Sequence, residues 1–350
     1  MPHIQIGKRR VGPGQPVYVI AEMSGNHNQD FDVAVKIVEA AAACGADAVK
    51  LQTYTADTMT IASDRPEFRV GPGTLWEGQN LYDLYTQAHT PWAWQRQLRD
   101  VAVGLGLDFF STAFDPAAVD FLEDLQVPVH KVASFEIVDL PLIEKMARTG
   151  KPMIISTGMS SLEEIEEAVK TARAAGARQI ALLKCTSAYP AAPEDMNLLT
   201  IPHLADTFGT PVGLSDHTMG TTVPVAAVAV GACIVEKHFT LSRATPGPDS
   251  AFSLEPAELK EMVSAIRVAE KSLGGVKYGS GAKEENSKVF RRSLFVVKAV
   301  KAGDLFTAEN IRAIRPGFGM HTRHLGEVLG KHAGRDIAAG TPMNWELISS

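Results

Sequence analysis

Cysteine is scarce in this chain. Cys44, Cys185 and Cys233 are the only three in 350 residues, they lie far apart, and no CxxC occurs. An odd, scattered set supports neither a disulfide framework nor a thiolate zinc site; it fits buried thiols in a reducing cytoplasm. No apolar run approaches the roughly 18 residues of a membrane span, and the opening MPHIQIGKRR lacks the apolar core of a signal peptide. Basic charge is not in excess. Lys plus Arg number 34 against 40 Asp plus Glu, a net charge of −6. That balance excludes a general attraction for nucleic acid or an anionic membrane, but it leaves room for a local pocket for one small anion. Apolar residues are not lacking: 45 % hydrophobic and 21 % charged residues exclude a largely disordered chain.

Eight short apolar runs alternate with amphipathic stretches. The runs are 17–23, 48–54, 107–113, 130–136, 152–158, 180–187, 211–217 and 234–240. Each is apolar at most positions, as a strand buried on both faces requires. Between them, 31–44 predicts a helix closed by Gly45. The stretch 161–175 predicts one capped by Ser160 with Glu163, and 256–273 one that opens on Pro256 and stops at Gly274-Gly275. Eight such units suit a (β/α)8 barrel of the TIM type. An open doubly wound sheet would want a Gly-rich phosphate loop after the first strand, and AEMSGNHNQ contains no GxGxxG. The stretch 55–79 holds Pro66, Gly71, Pro72, Gly73 and Gly78 and reads as a long surface loop, a lid.

The rhythm changes near residue 276. We expect a catalytic barrel over 1–275, a polar linker over 276–288 and a small β-rich module over 289–350. Within that module, VKAGDLFT (300–307) and IAAGTPMN (337–344) echo one another. So short a module has little core of its own and is expected to lean on another surface.

In a parallel barrel the chemistry gathers at the C-terminal strand ends. Those ends carry Glu22 with Asn26 and His27; Lys50 with Gln52; Ser111 and Thr112; and Lys131 with Ser134 and Glu136. The later four carry Ser156 and Thr157; Lys184 with Ser187 and Tyr189; Ser215, Asp216 and His217; and Glu236, Lys237 and His238. Buried charges must pair with one another or with a ligand. Lys50, Lys131, Lys184 and Lys237 beside hydroxyl groups suit a phosphate or carboxylate, or else pair with barrel carboxylates. Lys237 alternates with Glu236 and His238, so on a regular strand it faces the helices. Lys131 and Ser134 also differ in parity and can share a ligand only if the strand ends between them. His217 and His238, on neighbouring strands, suit a divalent transition metal or are two hydrogen-bonded histidines; His27 is a third ligand or a loop residue. Glu22 and Glu136 are the candidates for proton transfer or for orienting a water.

Together, IAEMSGNHNQ, GADAVKLQTYTAD, FFSTAFD, KVASFEI, IISTGM, KCTSAYP, GLSDHT and EKHFTLSR resemble the sialic acid synthase family. The tail resembles that family's SAF, or antifreeze-like, module through RRSLFVVKAVKAGDLFT and IRPGFGM. KLQTYTADTMT, NLYDLY and HFTLSRATPGPDSAFSLEP are most similar to the pseudaminate-forming branch. The resemblance implies condensation of phosphoenolpyruvate with an amino-sugar aldehyde, with C–O cleavage and release of phosphate. It places phosphoenolpyruvate on Lys50, Thr112, Lys131, Ser134, Ser156, Ser187 and Ser215, where Ser187 stands in place of a common Asn. It places the sugar on Gln52, Tyr189, Asp249 and Arg315, and a metal, usually Mn2+ with Mg2+ or Co2+ as substitutes, on His217 and His238. For that reaction we expect Glu22 first, and Glu136 second, to handle the proton of the attacking water. Arg315 reaching a second barrel implies a domain-swapped homodimer. A Schiff-base lysine aldolase would explain the lysines but neither the histidine pair nor the tail. An ice-binding module would not carry Arg291, Arg292, Lys298, Lys301 and Asp304.

Overall fold

The structure is a computed structural model and describes residues 2–349. The chain divides into two compact units between Gly274 and Gly275. In the first, a hairpin, β1 (Ile4–Ile6) and β2 (Arg9–Val11), precedes eight parallel strands: β3 (Tyr18–Glu22), β4 (Ala48–Thr53), β5 (Asp108–Ala113), β6 (His130–Val132), β7 (Met153–Ser156), β8 (Ile180–Cys185), β9 (Val212–Asp216) and β10 (Ile234–His238). Each pairs with the next, and β10 returns to β3, which closes the barrel. The hairpin lies at the N-terminal strand ends. Ile4, Ile6 and Val11 are buried, and Arg9 bonds Asp108 at the start of β5. β9 and β10 approach so closely at Gly213 that a Cβ there would collide with the carbonyl oxygen of Ile234.

Local chemistry explains the helices. Phe31–Ala43 starts where Asp30 accepts from the Val33 N–H, and Gly45 behind it takes a φ of +86°, which glycine adopts without strain. Pro256–Leu273 opens with Pro256 at its first position, and the Glu255 N–H donates to Glu258. The helix expected over 161–175 runs from Leu162 to Ala174, and its cap is Ser161 with Glu164 rather than Ser160 with Glu163. Ser160 is spent one step earlier, its hydroxyl donating to the Gly158 carbonyl. The run 130–136 holds only the three-residue β6. Ser134 already has helical angles, and Phe135–Val138 forms a single 3-10 turn.

The expected lid, 55–79, has internal order. Thr55 caps a turn over Ala56–Met59, and further on the Val70 N–H bonds the Gln79 carbonyl while the Gly78 N–H bonds the Val70 carbonyl. Residues 70–79 are therefore a closed loop with Trp76 near its tip. A further helix, Leu81–Ala88, follows it.

The second unit pairs β11 (Ser293–Val296) with β12 (Ile311–Ile314), antiparallel. It has its own core, including Leu294, Val296, Val300, Phe306, Ile311 and Met343. The two echoed segments meet at their starts, where Val300 and Ile337 exchange both backbone hydrogen bonds. The stretch read as a linker carries a helical turn, Ala282–Glu285, continued by a 3-10 segment, Asn286–Phe290. Among the described residues, no helix is long and apolar enough to cross a membrane.

Candidate active site

Parity decides what reaches the barrel mouth. Glu22, Lys50, Gln52, Thr112, Lys131, Ser215 and Glu236 share one parity set, and the strand register lays Glu22 beside Lys50 and His238 beside Glu22. Lys50 Nζ is 2.7 Å from Glu22 Oε2, 3.5 Å from Glu236 Oε1 and 3.2 Å from Thr112 Oγ1. Ser215 Oγ donates to the same Glu236 Oε1 at 3.2 Å. All of these are buried. Burial pushes the Glu22 carboxyl up to about 7, helped by the negative charge of Glu236 and opposed by Lys50. Burial also acts on Glu236, but Lys50, Lys131 and His217 outweigh it and hold that group below the usual carboxylate range.

Lys131 and Ser134 do share this mouth, because β6 ends at Val132. Lys131 Nζ donates to Ser156 Oγ at 2.7 Å, and Ser134 Oγ accepts from the Gly158 N–H at 3.0 Å. A Cβ on Gly158 would press on Ser187 and lie 2.7 Å from Ser134 Oγ, so Ser134, Ser187 and Gly158 form one small cradle. Glu136 follows on the 3-10 turn. Burial raises its carboxyl to about 7 against the pull of Lys131, and its Oε2 has no hydrogen-bond partner.

The histidines lie together, ring centroids 5.2 Å apart. His217 Nδ1 donates to the Thr186 carbonyl at 2.9 Å. Burial disfavours the charged form of the ring, but Cys185 and that carbonyl outweigh it and hold the ring above the usual imidazole range, so Nε2 is the nitrogen open to a ligand once its proton leaves. Burial, reinforced by His217, keeps His238 neutral, well below the usual imidazole range, and its Nδ1 is buried without a partner. Two imidazoles, each with a nitrogen open to a ligand, fit a divalent transition metal. Among the described residues no group of three or more His, Cys, Asp or Glu converges, so the remaining positions would belong to water and substrate. His27 takes no part. Its Nε2 pairs with Thr90 and its Nδ1 accepts from the Gln29 N–H, which makes it a loop residue.

Two of the four sugar candidates, Tyr189 and Asp249, stand by the histidines. Tyr189 lies 4.4 Å from His217 between ring centroids. Asp249 accepts from the Ser24 hydroxyl, and burial lifts its carboxyl above the usual range despite that bond. Gln52 is half-buried at the end of β4. Arg315 is exposed and belongs to the second unit. Two of the four lysines stay out of the cluster. Lys237 is buried against Asp216 and the Thr218 carbonyl, and Lys184 bonds the Cys185 carbonyl and Thr186. Sequence reasoning put Glu236 among the strand ends but gave it no role; its parity with His238 was the available signal. Cys185 was left as an inert thiol. It lies 3.8 Å from His217 Nδ1, and although burial alone would raise it, that contact brings the thiol down to about 7.

A parallel barrel whose mouth gathers two inward lysines, a row of hydroxyls, paired histidines and two carboxyls near neutrality defines an enzyme of small anionic substrates. The chain belongs to the NeuB family, whose model matches residues 37–278, and its tail matches the SAF domain over 291–349. It is 44 % identical to the pseudaminic acid synthase of Helicobacter pylori over 94 % of this chain and 97 % of that one. It is 36 % identical to the N,N'-diacetyllegionaminic acid synthase of Legionella pneumophila over 97 % and 96 %. Among solved structures, the N-acetylneuraminic acid synthetase of Leptospira borgpetersenii, in complex with citrate, superposes with a TM-score of 0.73 at 31 % identity, over 82 % of this chain and 95 % of that one.

Proposed function

We propose that this chain is a pseudaminic acid synthase. It condenses phosphoenolpyruvate and water with 2,4-diacetamido-2,4,6-trideoxy-L-altrose, giving pseudaminate and inorganic phosphate. The observation that carries the reading is the 44 % identity to the H. pylori enzyme over nearly the whole of both chains. The mouth described above supports it.

C3 of phosphoenolpyruvate forms a bond to the aldehyde carbon, whose oxygen takes up a proton and becomes a hydroxyl. Water adds at C2 and gives up one proton. The bond from C2 to the phosphate oxygen then breaks as the new C2 hydroxyl loses its proton, leaving the ketone and inorganic phosphate. Lys50 and Lys131 balance the charge of phosphate and carboxylate, with hydrogen bonds from Thr112, Ser134, Ser156, Ser187 and Ser215. Glu22, poised near neutrality, takes the proton of the attacking water, and Glu136 is the second group able to carry one. His217 and His238 would hold a divalent ion, Mn2+ in our reading, and when bound it would supply Lewis acidity for the aldehyde. Gln52, Tyr189 and Asp249 orient the sugar, and Arg315 is supplied by a second copy in a homodimer. The enzyme works in the cytoplasm.

The test is phosphate release from phosphoenolpyruvate with Mn2+, comparing the deoxy sugar with N-acetylmannosamine. Release that depends on the deoxy sugar and stops in EDTA is the expected result. Release with N-acetylmannosamine alone would move the chain to another branch. A covalent adduct trapped by borohydride with a keto acid would replace the reading with a Schiff-base aldolase.

A further inference from the structure

The wall of the sugar pocket has a second aromatic layer. Tyr189 and Phe252 stand against the histidine pair, Phe252 at 4.9 Å from His238 between ring centroids. Trp76 continues this wall away from the histidines, 5.6 Å from Tyr189 and 6.5 Å from Phe252. It arrives on the closed loop 70–79, which is tied further by Asn80 donating to the Ser63 carbonyl at 2.7 Å. Trp76 Nε1 donates to the Pro248 carbonyl at 2.9 Å, the residue before Asp249. Its outer side borders a cleft of 640 Å³, shared with Leu75, Gln79, Arg243, Pro246 and Ala251. Trp76 therefore links the aromatic wall beside the histidines to that cleft.

We propose that Trp76 is a specificity-determining residue that reads the substituent at the sugar carbon farthest from the aldehyde. The inference rests on the synthase reading above. With the aldehyde end at His217 and His238, the carbon chain runs outward past Tyr189 and Phe252 and ends at the Trp76 layer. Phe252 has no polar side-chain atom, and the one on Trp76 is already committed to Pro248. A terminal methyl packs there at no loss. A hydroxyl gives up water and finds no partner on either of these rings, which disfavours it by about 10- to 10²-fold.

The experiment compares kcat/KM for the 6-deoxy sugar and its 6-hydroxy analogue in wild type, Trp76→Phe and Trp76→Ala. Wild type should prefer the deoxy sugar by about 10- to 10²-fold. Trp76→Ala should bring the ratio to within about 3-fold of unity while KM for phosphoenolpyruvate holds. Trp76→Phe keeps the ring but drops the tie to Pro248, and its ratio should fall at least about 3-fold even if the alanine variant does not fold. An unchanged ratio in either folded variant, or equal losses on both sugars, overturns the assignment of Trp76 and leaves the synthase reading intact. A wild type that uses neither sugar overturns that reading and this inference together.

Discussion

Replacing Lys50 by methionine would strip the mouth of the cation that two carboxylates share. Lys50 Nζ lies 2.7 Å from Glu22 and 3.5 Å from Glu236. With an effective dielectric of about 20, these contacts are worth roughly 6 and roughly 5 kcal/mol in gross Coulomb energy. Burying the three ions opposes most of that gain, and removing one partner of a buried pair costs about 3–5 kcal/mol. Lys50→Met should therefore lose about 3–5 kcal/mol of barrel stability in urea unfolding at pH 8. The loss should be smaller at pH 5. Without Lys50 the folded carboxyl pKa rises further above its ordinary 4.5, so the cost is absent below that value and grows as pH climbs through the folded pKa. Adding Glu22→Gln removes one of the stranded charges and should recover more than about 1 kcal/mol, a coupling expected of groups in one network. A Lys50→Met protein within about 1 kcal/mol of wild type at pH 8, or one that Glu22→Gln fails to rescue, would refute the shared-cation account.

Three further changes probe the same mouth. Glu22→Gln alone should keep phosphoenolpyruvate affinity, read by calorimetry, while turnover falls about 10²-fold or more, the usual worth of a general base; near-wild-type turnover would remove Glu22 from that role. Gly158→Ala drives a methyl into the cradle of Ser134 and Ser187 and should raise KM for phosphoenolpyruvate about 10-fold with little change in Tm, equal to about 1.4 kcal/mol; an unaltered KM would mean that those hydroxyls do not meet the substrate. Glu136 is raised from 4.5 to about 7 by burial, so its favourable contribution is full below pH 4.5 and lost as pH rises through 7. Urea unfolding at pH 5 and pH 8 should show Glu136→Gln gaining on wild type at the higher pH by up to about 3 kcal/mol, and parallel pH profiles would contradict the burial of that charge.

Much of the barrel could be read from the chain because its strands are buried on both faces and its helices announce their ends with Gly45 and Pro256. Parity also sorted the strand ends. It separated Lys237 from Glu236 and His238, and it required the break between Lys131 and Ser134 that the structure shows at Val132. What escaped was decided by contacts between segments distant in sequence. Glu236 acquires meaning only once β10 lies beside β9 and β3 and brings it to Ser215 and Lys50. Trp76 sits in a Gly- and Pro-rich loop where no periodicity says which side chain turns inward. The choice between Ser160 and Ser161 as helix cap was equally invisible, since either serine has a glutamate three residues on.

Several polar atoms at the mouth, Glu136 Oε2, Glu236 Oε2 and His238 Nδ1, are buried with nothing to bond. Each costs the fold stability, and in the synthase reading a bound ion or substrate would satisfy it, so heat resistance and turnover select for different residues at these positions. A library screened for thermal survival without ligand would drift toward apolar or amide replacements there and lose the catalyst. The same screen run with phosphoenolpyruvate present would leave the mouth intact and find its gains at helix caps and in loops.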